Sequence, residues 1–139
     1  MGVHPIDLYD DCGPSAVAIL TGKGIAHARA RIVALRRKGG RYNLGAPKSK
    51  NVEDTQWTYL PELRRALLAD NIRLGKFRKF GGRVKAFAAK YPRGTYFLNF
   101  TNHVAIYRDG EIYDNMGHGI PPEFYRYRRF TLQSFAKVI

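Results

Sequence analysis

Cys12 is the only cysteine among the 139 residues, and it stands in the stretch DLYDDCGPSAVAILT at residues 7–21. A Gly-Pro-Ser sequence follows the cysteine and opens an apolar run, which predicts that a helix begins beside the thiol. The unpaired N–H groups at a helix N-terminus favour the thiolate, which is the nucleophilic form of cysteine. Negative charge on Asp10 and Asp11 opposes this if their side chains turn toward the sulfur. Cys12 is therefore a candidate nucleophile, and an ordinary buried cysteine is the alternative.

A nucleophilic thiol needs a base within hydrogen-bond reach, and four histidines could supply one. His103 opens the β-branched stretch HVAIY, and a histidine at the start of a core strand is held firmly enough to act as a base. His27 is predicted on the surface of a helix among arginines. His4, near the N-terminus, and His118, in the Gly-rich sequence MGHGIPP, are expected to be incidental. His103 is the candidate general base, with a structural histidine as the alternative.

The dipeptide Asp109-Gly110 predicts a two-residue hairpin turn after the strand that contains His103. In that register Asp114 is a diagonal neighbour of His103 on the same face, about 7–8 Å away at the backbone. A carboxylate in this place can accept a hydrogen bond from the imidazole and fix its tautomer. A three-residue loop with a glycine bulge would shift the pairing by one residue and bring Asn115 to that face. The third candidate is therefore Asp114, or Asn115 in the shifted register.

The spacing of apolar residues predicts four helices in the first two thirds of the chain. The first spans about two turns after Cys12, and the others cover residues 25–38, 58–71 and 83–91, where Pro92 ends the last. Between the second and third, residues 41–56 carry Gly, Pro, Ser, Asn and charge, which predicts a long surface loop.

From residue 94 the pattern changes to short β-branched and aromatic stretches that are typical of strands. These are GTYFLNF (94–100), HVAIYR (103–108) and EIYDN (111–115), and the tail FYRYRRFTL (124–132) is expected to add one or two more. Helices followed by a mostly antiparallel sheet define an α+β fold. A chain of this length fits one domain, residues 1–139, with the thiol on a helix and the histidine on the sheet.

Charge is the outlying property of the composition, because 24 Lys and Arg against 11 Asp and Glu leave a net charge of +13. Such a field favours an acidic partner, namely nucleic acid, an anionic cell-wall polymer or an acidic protein surface. The basic residues are spread over 29–41, 76–85 and 125–129, so no segment is typical of a dedicated nucleic-acid helix. A solvated basic surface without a partner is the alternative.

Several classes of protein are disfavoured by what the sequence lacks. No run of about 18 apolar residues predicts a membrane span, and the N-terminal MGVHPIDLYDD lacks the features of a secretion signal. A single cysteine excludes an internal disulfide and a multi-cysteine zinc site, and the four scattered histidines have no metal-ligand spacing. We therefore expect no metal, no cofactor, and a cytoplasmic or virion-associated protein.

Asp-Cys-Gly at the start of an apolar helix, together with NHVAIYRDGEIYDN at 102–115, resembles the papain-like cysteine peptidase superfamily. The matching stretches, 10–21 and 94–115, look closest to the small members found in bacteria and phages. The resemblance implies a thiol hydrolase that cleaves a peptide or isopeptide bond in a protein or peptide substrate. Cys12 would attack the carbonyl, His103 would carry the proton and Asp114 would orient His103.

The hairpin is also similar to that of the NlpC/P60 cell-wall peptidases. The cysteine motif of those enzymes is Asp-Cys-Ser-Gly, and their third group is usually a histidine. Here Gly-Pro follows Cys12 and Asp114 takes the third place, so the papain-like resemblance is the closer one. A cell-wall peptidase is the alternative enzyme.

One departure from the papain-like pattern concerns the oxyanion. Those enzymes place a Gln a few residues before the cysteine, but residues 1–11 contain neither Gln nor Asn. His4 and Tyr9 are the candidate replacements, beside the backbone N–H of Cys12. Loss of one oxyanion donor costs on the order of 10²–10³ in rate. The alternative to an active enzyme is thus a catalytically weak or inactive papain-like domain, a basic structural or binding protein in a virion or on nucleic acid.

Overall fold

The computed structural model of the chain describes residues 2–4, 6–7, 11–38, 54–55 and 58–139. Over these residues the fold is α+β, as the sequence predicts, with four α-helices and a six-stranded antiparallel open sheet. Apart from residues 54–55, the predicted loop at 41–56 lies outside the described residues. In the described part of the chain, no helix is both long enough and apolar enough to cross a membrane.

The predicted helices are confirmed, and the last three agree with their expected ends to within about two residues. They are α1 (Cys12–Thr21), α2 (Ile25–Lys38), α3 (Leu60–Ala69) and α4 (Val84–Lys90). α1 ends at Gly22, whose φ of 72° lies in the left-handed region that glycine adopts without strain. Residues 13–20 are all buried, so α1 is enclosed by the other elements and carries Cys12 at one end of a rigid central helix.

The sheet is built from strands that lie almost entirely in the second half of the chain. They are β1 (Arg78–Gly82), β2 (Thr95–Phe100), β3 (His103–Arg108), β4 (Glu111–Asp114), β5 (Gly117–Ile120) and β6 (Leu132–Lys137). The order across the sheet is β1-β6-β2-β3-β4-β5, so the last strand of the chain lies between the first and the second. The three strands predicted between 94 and 115 are confirmed as β2, β3 and β4.

Two strands lie where the sequence predicts none. β1 falls in the basic stretch 76–85, and β5 falls in the Gly-rich MGHGIPP sequence. β1 is an edge strand with mostly exposed side chains, and every residue of β5 is half-buried. Neither strand therefore has the alternation of buried and exposed residues that identifies a strand in a sequence.

The prediction of strands within residues 124–132 is wrong in its position. A 3₁₀ turn covers Pro122–Phe124, further turns follow, and the strand β6 begins only at Leu132. The N–H of Arg128 bonds to the carbonyl of Tyr125, which closes one of these turns. The aromatic residues that suggested a strand serve a different purpose, because Tyr125 is fully buried against the sheet.

Both faces of the sheet are covered, which explains why β2 and β3 are buried along nearly their whole length. On one face, Phe97 and Ile106 pack with residues of α1, α2 and α3. On the other face, Leu98 and Tyr107 pack with Phe87 of α4. Successive residues of a strand point to opposite faces, so each strand contributes to both clusters. α1 packs directly on β3, which brings the helix N-terminus to the start of that strand.

Candidate active site

Cys12 is the first residue of α1, and its half-buried side chain forms part of the wall of a cleft. Asp11 is the N-cap residue and makes no side-chain hydrogen bond to the helix. The first N–H groups of a helix have no acceptor within it and point toward its N-terminal end, where they favour negative charge. The thiol therefore occupies the helix position that the sequence predicts.

Gly13 follows the cysteine because another chain segment passes very close to its backbone. A Cβ at position 13 would overlap the hydroxyl oxygen of Thr58, and it would also be within 3.1 Å of the Thr58 Cβ and 3.3 Å of a Leu63 methyl group. Thr58 comes just before α3 and lines the same cleft as Cys12. The glycine thus allows a hydroxyl group to lie beside the first turn of α1.

His103 is the first residue of β3 and is 5% exposed. A tight turn at Thr101-Asn102 connects β2 to β3, and Asn102 adopts a φ of 57°, which asparagine tolerates better than most residues. The imidazole adjoins the Cys12 thiol in the cleft wall, and each group shifts the pKa of the other. Its Nε2 atom lies 2.9 Å from the carboxylate of Asp114, so Nδ1 is the ring nitrogen that faces the sulfur.

The register of the β3–β4 hairpin places the third residue. Arg108 pairs with Glu111, and Asp109 and Gly110 both have positive φ, which is the two-residue turn predicted from the sequence. This register is confirmed, and Asp114 is the residue that bonds to His103. The three-residue loop that would have brought Asn115 to the face of His103 is not formed.

The carboxylate of Asp114 is held by four donors and is almost fully buried. One oxygen, Oδ1, accepts the backbone N–H groups of Met116 at 2.7 Å and Gly117 at 3.1 Å. The other, Oδ2, accepts from His103 at 2.9 Å and from the hydroxyl of Tyr125 at 2.7 Å. A buried carboxylate with this many donors stays ionised and fixed in position.

Tyr125 is a site residue that the sequence does not reveal. Its fully buried hydroxyl donates to Asp114 and lies 2.9 Å from Nε2 of His103. Burial and the neighbouring charge of Asp114 raise the pKa of Tyr125 far above its usual value, so the phenol stays protonated and remains a donor. The surrounding FYRYRR sequence indicates an interface or an edge strand, and it contains no signal for a role in the site.

The electrostatics of the site favour an ion pair between the thiol and the imidazole. Burial alone would raise the pKa of Cys12, but the hydrogen bond from His103, the N–H of Val104 and the charge of His103 lower it overall, against a small opposing effect of Asp11. Burial lowers the pKa of His103, but hydrogen bonds to Asp114 and Cys12 raise it overall. The pKa of Asp114 is raised by burial and lowered more strongly by its hydrogen bonds, so it lies below the usual value.

The cleft beside Cys12 and His103 has a volume of about 380 Å³ and is lined mainly by uncharged residues. Two of the amides in its wall are already engaged, because Asn99 donates to Ser134 and Gln133 donates to Thr101. The lining residues are Cys12, Thr58, Tyr59, Leu60, Asn99, Phe100, Thr101, Asn102, His103, Val104 and Gln133. A neutral polar cleft of this kind can hold an extended main chain over the thiol.

The two candidate replacements for the oxyanion Gln have different outcomes. The N–H of His4 bonds to the carbonyl of Ile19, and the imidazole lies against Gly22, at the C-terminal end of α1. Ten helical residues rise about 15 Å, so His4 lies at the opposite end of α1 from Cys12. His4 is therefore not an oxyanion donor, and that prediction is wrong. Tyr9 lies outside the described residues.

The remaining histidines lie away from the cleft. His27, predicted on the helix surface, is half-buried, and its Nε2 lies 2.9 Å from Asp70. His118 lies in β5, where its ring stacks on Tyr113. Among the residues that the structure describes, no group of three or more His, Cys, Asp and Glu side chains is arranged to hold a metal ion.

Comparison of this chain with protein-family models, with curated proteins and with solved structures finds no match. What the site can do therefore follows from its own geometry. That geometry places Cys12 and His103 together in the wall of one cleft, with a buried carboxylate hydrogen-bonded to the histidine.

Proposed function

We propose that this protein is a papain-like thiol hydrolase that cleaves a peptide or isopeptide bond, similar to the small members of that superfamily from bacteria and phages. The observation that best supports this is the meeting of three groups. Cys12 and His103 lie in the wall of one cleft and shift each other's pKa, and His103 is hydrogen-bonded to the buried carboxylate of Asp114. A histidine held in this way takes up and returns a proton without losing its orientation.

The proposed reaction has two halves. The thiolate of Cys12 attacks the carbonyl carbon, a C–S bond forms, and the carbonyl oxygen takes the negative charge. His103 gives the proton on Nδ1 to the leaving nitrogen, the C–N bond breaks, and a thioester remains. Water then attacks the thioester while Nδ1 accepts its proton. Breaking the C–S bond releases the carboxylic acid and restores the thiolate beside the protonated imidazole.

The negative charge on the oxygen needs donors next to the sulfur. The backbone N–H of Cys12 is one, because the first N–H groups of a helix have no acceptor within it. We assign the hydroxyl of Thr58 as the second, since it packs on Gly13 and lines the cleft with Cys12. The amides of Asn99, Asn102 and Gln133 also line the cleft, and one N–H each of Asn99 and Gln133 donates to another side chain. We favour Thr58 because it packs on the residue next to Cys12.

Among thiol hydrolases, we favour a papain-like enzyme over an NlpC/P60-like cell-wall peptidase. In this chain the group that receives the N–H of His103 is the carboxylate of Asp114, whereas the cell-wall enzymes usually have a histidine in that place. A glycine and a proline also follow Cys12 in the first turn of α1.

A basic binding protein without catalysis, in a virion or on nucleic acid, is the second candidate function. The observation that favours it is the net charge of +13, which no feature of the thiol site requires. Binding of this kind would weaken linearly with salt on a log–log plot, because counterions are released. It would also be unchanged when Cys12 is replaced.

The rate of Cys12 alkylation by iodoacetamide at neutral pH tests the proposed function. We expect the folded protein to react faster than the same chain in denaturant, because only the folded thiol has a lowered pKa. His103→Ala should slow the reaction about tenfold, because it removes the imidazole that helps to lower the pKa of the thiol. His118→Ala is the matched control and should leave the rate unchanged. A folded protein that reacts no faster than the denatured chain would rule out the enzyme.

A further inference from the structure

A line of aromatic rings connects the imidazole of His103 to the protein surface. Tyr127 stacks on His103 with ring centroids 4.0 Å apart and the planes inclined by 16°. The ring of Phe130 packs edge to face on the ring of Tyr127, with the two ring centroids 5.2 Å apart. Along this line the exposure rises from 5% at His103 to 51% at Phe130. The surface around Phe130 is therefore continuous with the site.

Three exposed arginines lie within four residues of Phe130 in the sequence. Arg126, Arg128 and Arg129 are all exposed, and Phe124, at 73% exposure, lies on the same segment. Glu123 is the one acidic residue nearby in the sequence. We name these five residues, Phe124, Arg126, Arg128, Arg129 and Phe130, the Arg-aromatic surface. It combines exposed apolar rings with a local excess of positive charge.

The chain path places the Arg-aromatic surface beside the cleft. Gln133 lies three residues after Phe130, forms part of the cleft wall, and donates to Thr101 on the opposite turn. Three extended residues span about 10 Å, which is the length of a short peptide segment. On the cysteine side, in contrast, burial and then the charge of Asp54 raise the pKa of Asp11, and Asp11 is paired with Arg29 at 3.4 Å. The cysteine side thus has carboxylates beside it, one of them paired with Arg29, whereas the Phe130 side has three exposed arginines.

We propose that the Arg-aromatic surface binds an acidic polypeptide segment on the leaving-group side of the scissile bond. This rests on the proposed function, in which His103 protonates the leaving nitrogen, so the leaving half of the substrate must lie on the His103 side. Exposed guanidinium groups pair with carboxylates in a planar fork, and exposed rings bind apolar side chains between them. A single-stranded nucleic acid could use the same groups, but it has no reason to adjoin the thiol.

Binding can be measured on the full chain with Cys12→Ser, so that no catalysis is needed. The probe is a fluorescent random copolymer of glutamate and tyrosine, and the comparison probe is a twenty-residue oligothymidylate. We expect the double variant R126Q/R129Q to weaken copolymer binding about tenfold, as the loss of two exposed ion pairs implies. Arg128 is left in place because its guanidinium bonds to the carbonyl of Tyr125.

The matched control is R73Q/R93Q, which removes the same charge from exposed positions. Arg93 precedes the start of β2 and Arg73 bonds through its carbonyl to Ile139, so both lie at the end of the sheet opposite the cleft. This control should bind the copolymer nearly as well as the parent protein. Equal weakening by both double variants would show that only the net charge matters, and it would overturn the proposal.

A second readout uses the protein with Cys12 intact. The glutamate–tyrosine copolymer should slow alkylation of Cys12 by iodoacetamide, because a bound acidic segment reaches into the cleft, and R126Q/R129Q should remove this protection. Copolymer binding without protection overturns the proposal. The proposal is also overturned if oligothymidylate binds through the same arginines without changing the alkylation rate. That result would identify a nucleic-acid-binding surface. If the copolymer binds but the thiol is unreactive, the proposed function fails and the binding surface stands.

Discussion

The hydroxyl of Tyr125 lies 2.9 Å from Nε2 of His103, and both groups contact the same oxygen of Asp114. The hydroxyl proton goes to the carboxylate at 2.7 Å, so the phenol oxygen can accept from the imidazole N–H. Tyr125 therefore contacts the histidine from the side opposite Cys12. Rotation of the imidazole away from the thiol would break its buried hydrogen bonds to Asp114 and Tyr125.

Tyr125→Phe should keep the shape of the site and remove one donor to Asp114. We expect the pKa of Asp114 to rise, since the tyrosine hydroxyl is one of the groups that lowers it. A lost hydrogen bond to a buried charged group should reduce the free energy of unfolding by about 1.5–3 kcal/mol. Alkylation of Cys12 should slow, but less than in His103→Ala, because the histidine remains. Urea unfolding and alkylation rates measure the two effects, and an unchanged stability would contradict the shared network.

Asp114→Asn should lower the pKa of His103. Burial lowers that pKa and the hydrogen bond to Asp114 raises it, so without the carboxylate the imidazolium loses its strongest support. The native pKa is raised, so the protonated histidine persists above the usual pH range near 6.5. In the variant it should deprotonate at lower pH. An NMR titration of the His103 imidazole in the parent protein and in Asp114→Asn measures this. An unchanged titration in Asp114→Asn would mean that the carboxylate does not support the imidazolium.

The parts of the site that the sequence predicts are those fixed by local rules. The Gly-Pro-Ser sequence predicts where α1 begins, and so it predicts the position of Cys12. The Asp109-Gly110 turn predicts the position of Asp114 relative to His103, because a two-residue loop allows only one register between β3 and β4.

Tyr125 and Thr58 depend on contacts between distant segments, so no spacing rule identifies them. Tyr125 reaches the site because the segment after β5 turns back over the sheet instead of forming a strand. Thr58 reaches it because α3 packs against α1, which places this residue, two positions before α3, on Gly13. Such placements follow from packing, which a single sequence does not specify.

Asp70 should make the stability of the helical layer depend on pH. It accepts from His27, Lys23 and Arg31 at 2.9 to 3.1 Å. Burial alone would raise its pKa, but these hydrogen bonds lower it more strongly, so that the pKa is about 2. The folded pKa is below the unfolded value of 3.8, so the stabilisation is present above pH 4 and is lost as the pH falls toward 2. Because the three partners are one-third to half exposed, the contribution is about 1 kcal/mol.

Urea unfolding of the parent protein and of Asp70→Asn checks this expectation. The difference between the two free energies of unfolding should be about 1 kcal/mol at pH 6 and should shrink as the pH falls through 3 toward 2. Glu123→Gln is a suitable control, because Glu123 is exposed and lies in the 3₁₀ turn after β5, outside the helical layer. A difference that is constant across this pH range would mean that the ion pairs of Asp70 do not contribute.

Thr58→Val should separate acyl transfer from alkylation at the same thiol. Alkylation by iodoacetamide displaces iodide and creates no oxyanion, so its rate depends only on the thiolate and should stay within about twofold of the parent rate. Acylation by p-nitrophenyl acetate passes through an oxyanion, and loss of one donor should slow it by about 10²–10³.

Valine has the same shape as threonine, so the contact with Gly13 is kept. Thr58→Ser keeps the hydroxyl and should restore most of the acylation rate. Equal effects of Thr58→Val on both reactions would place Thr58 in a packing role and leave the backbone N–H of Cys12 as the only assigned donor.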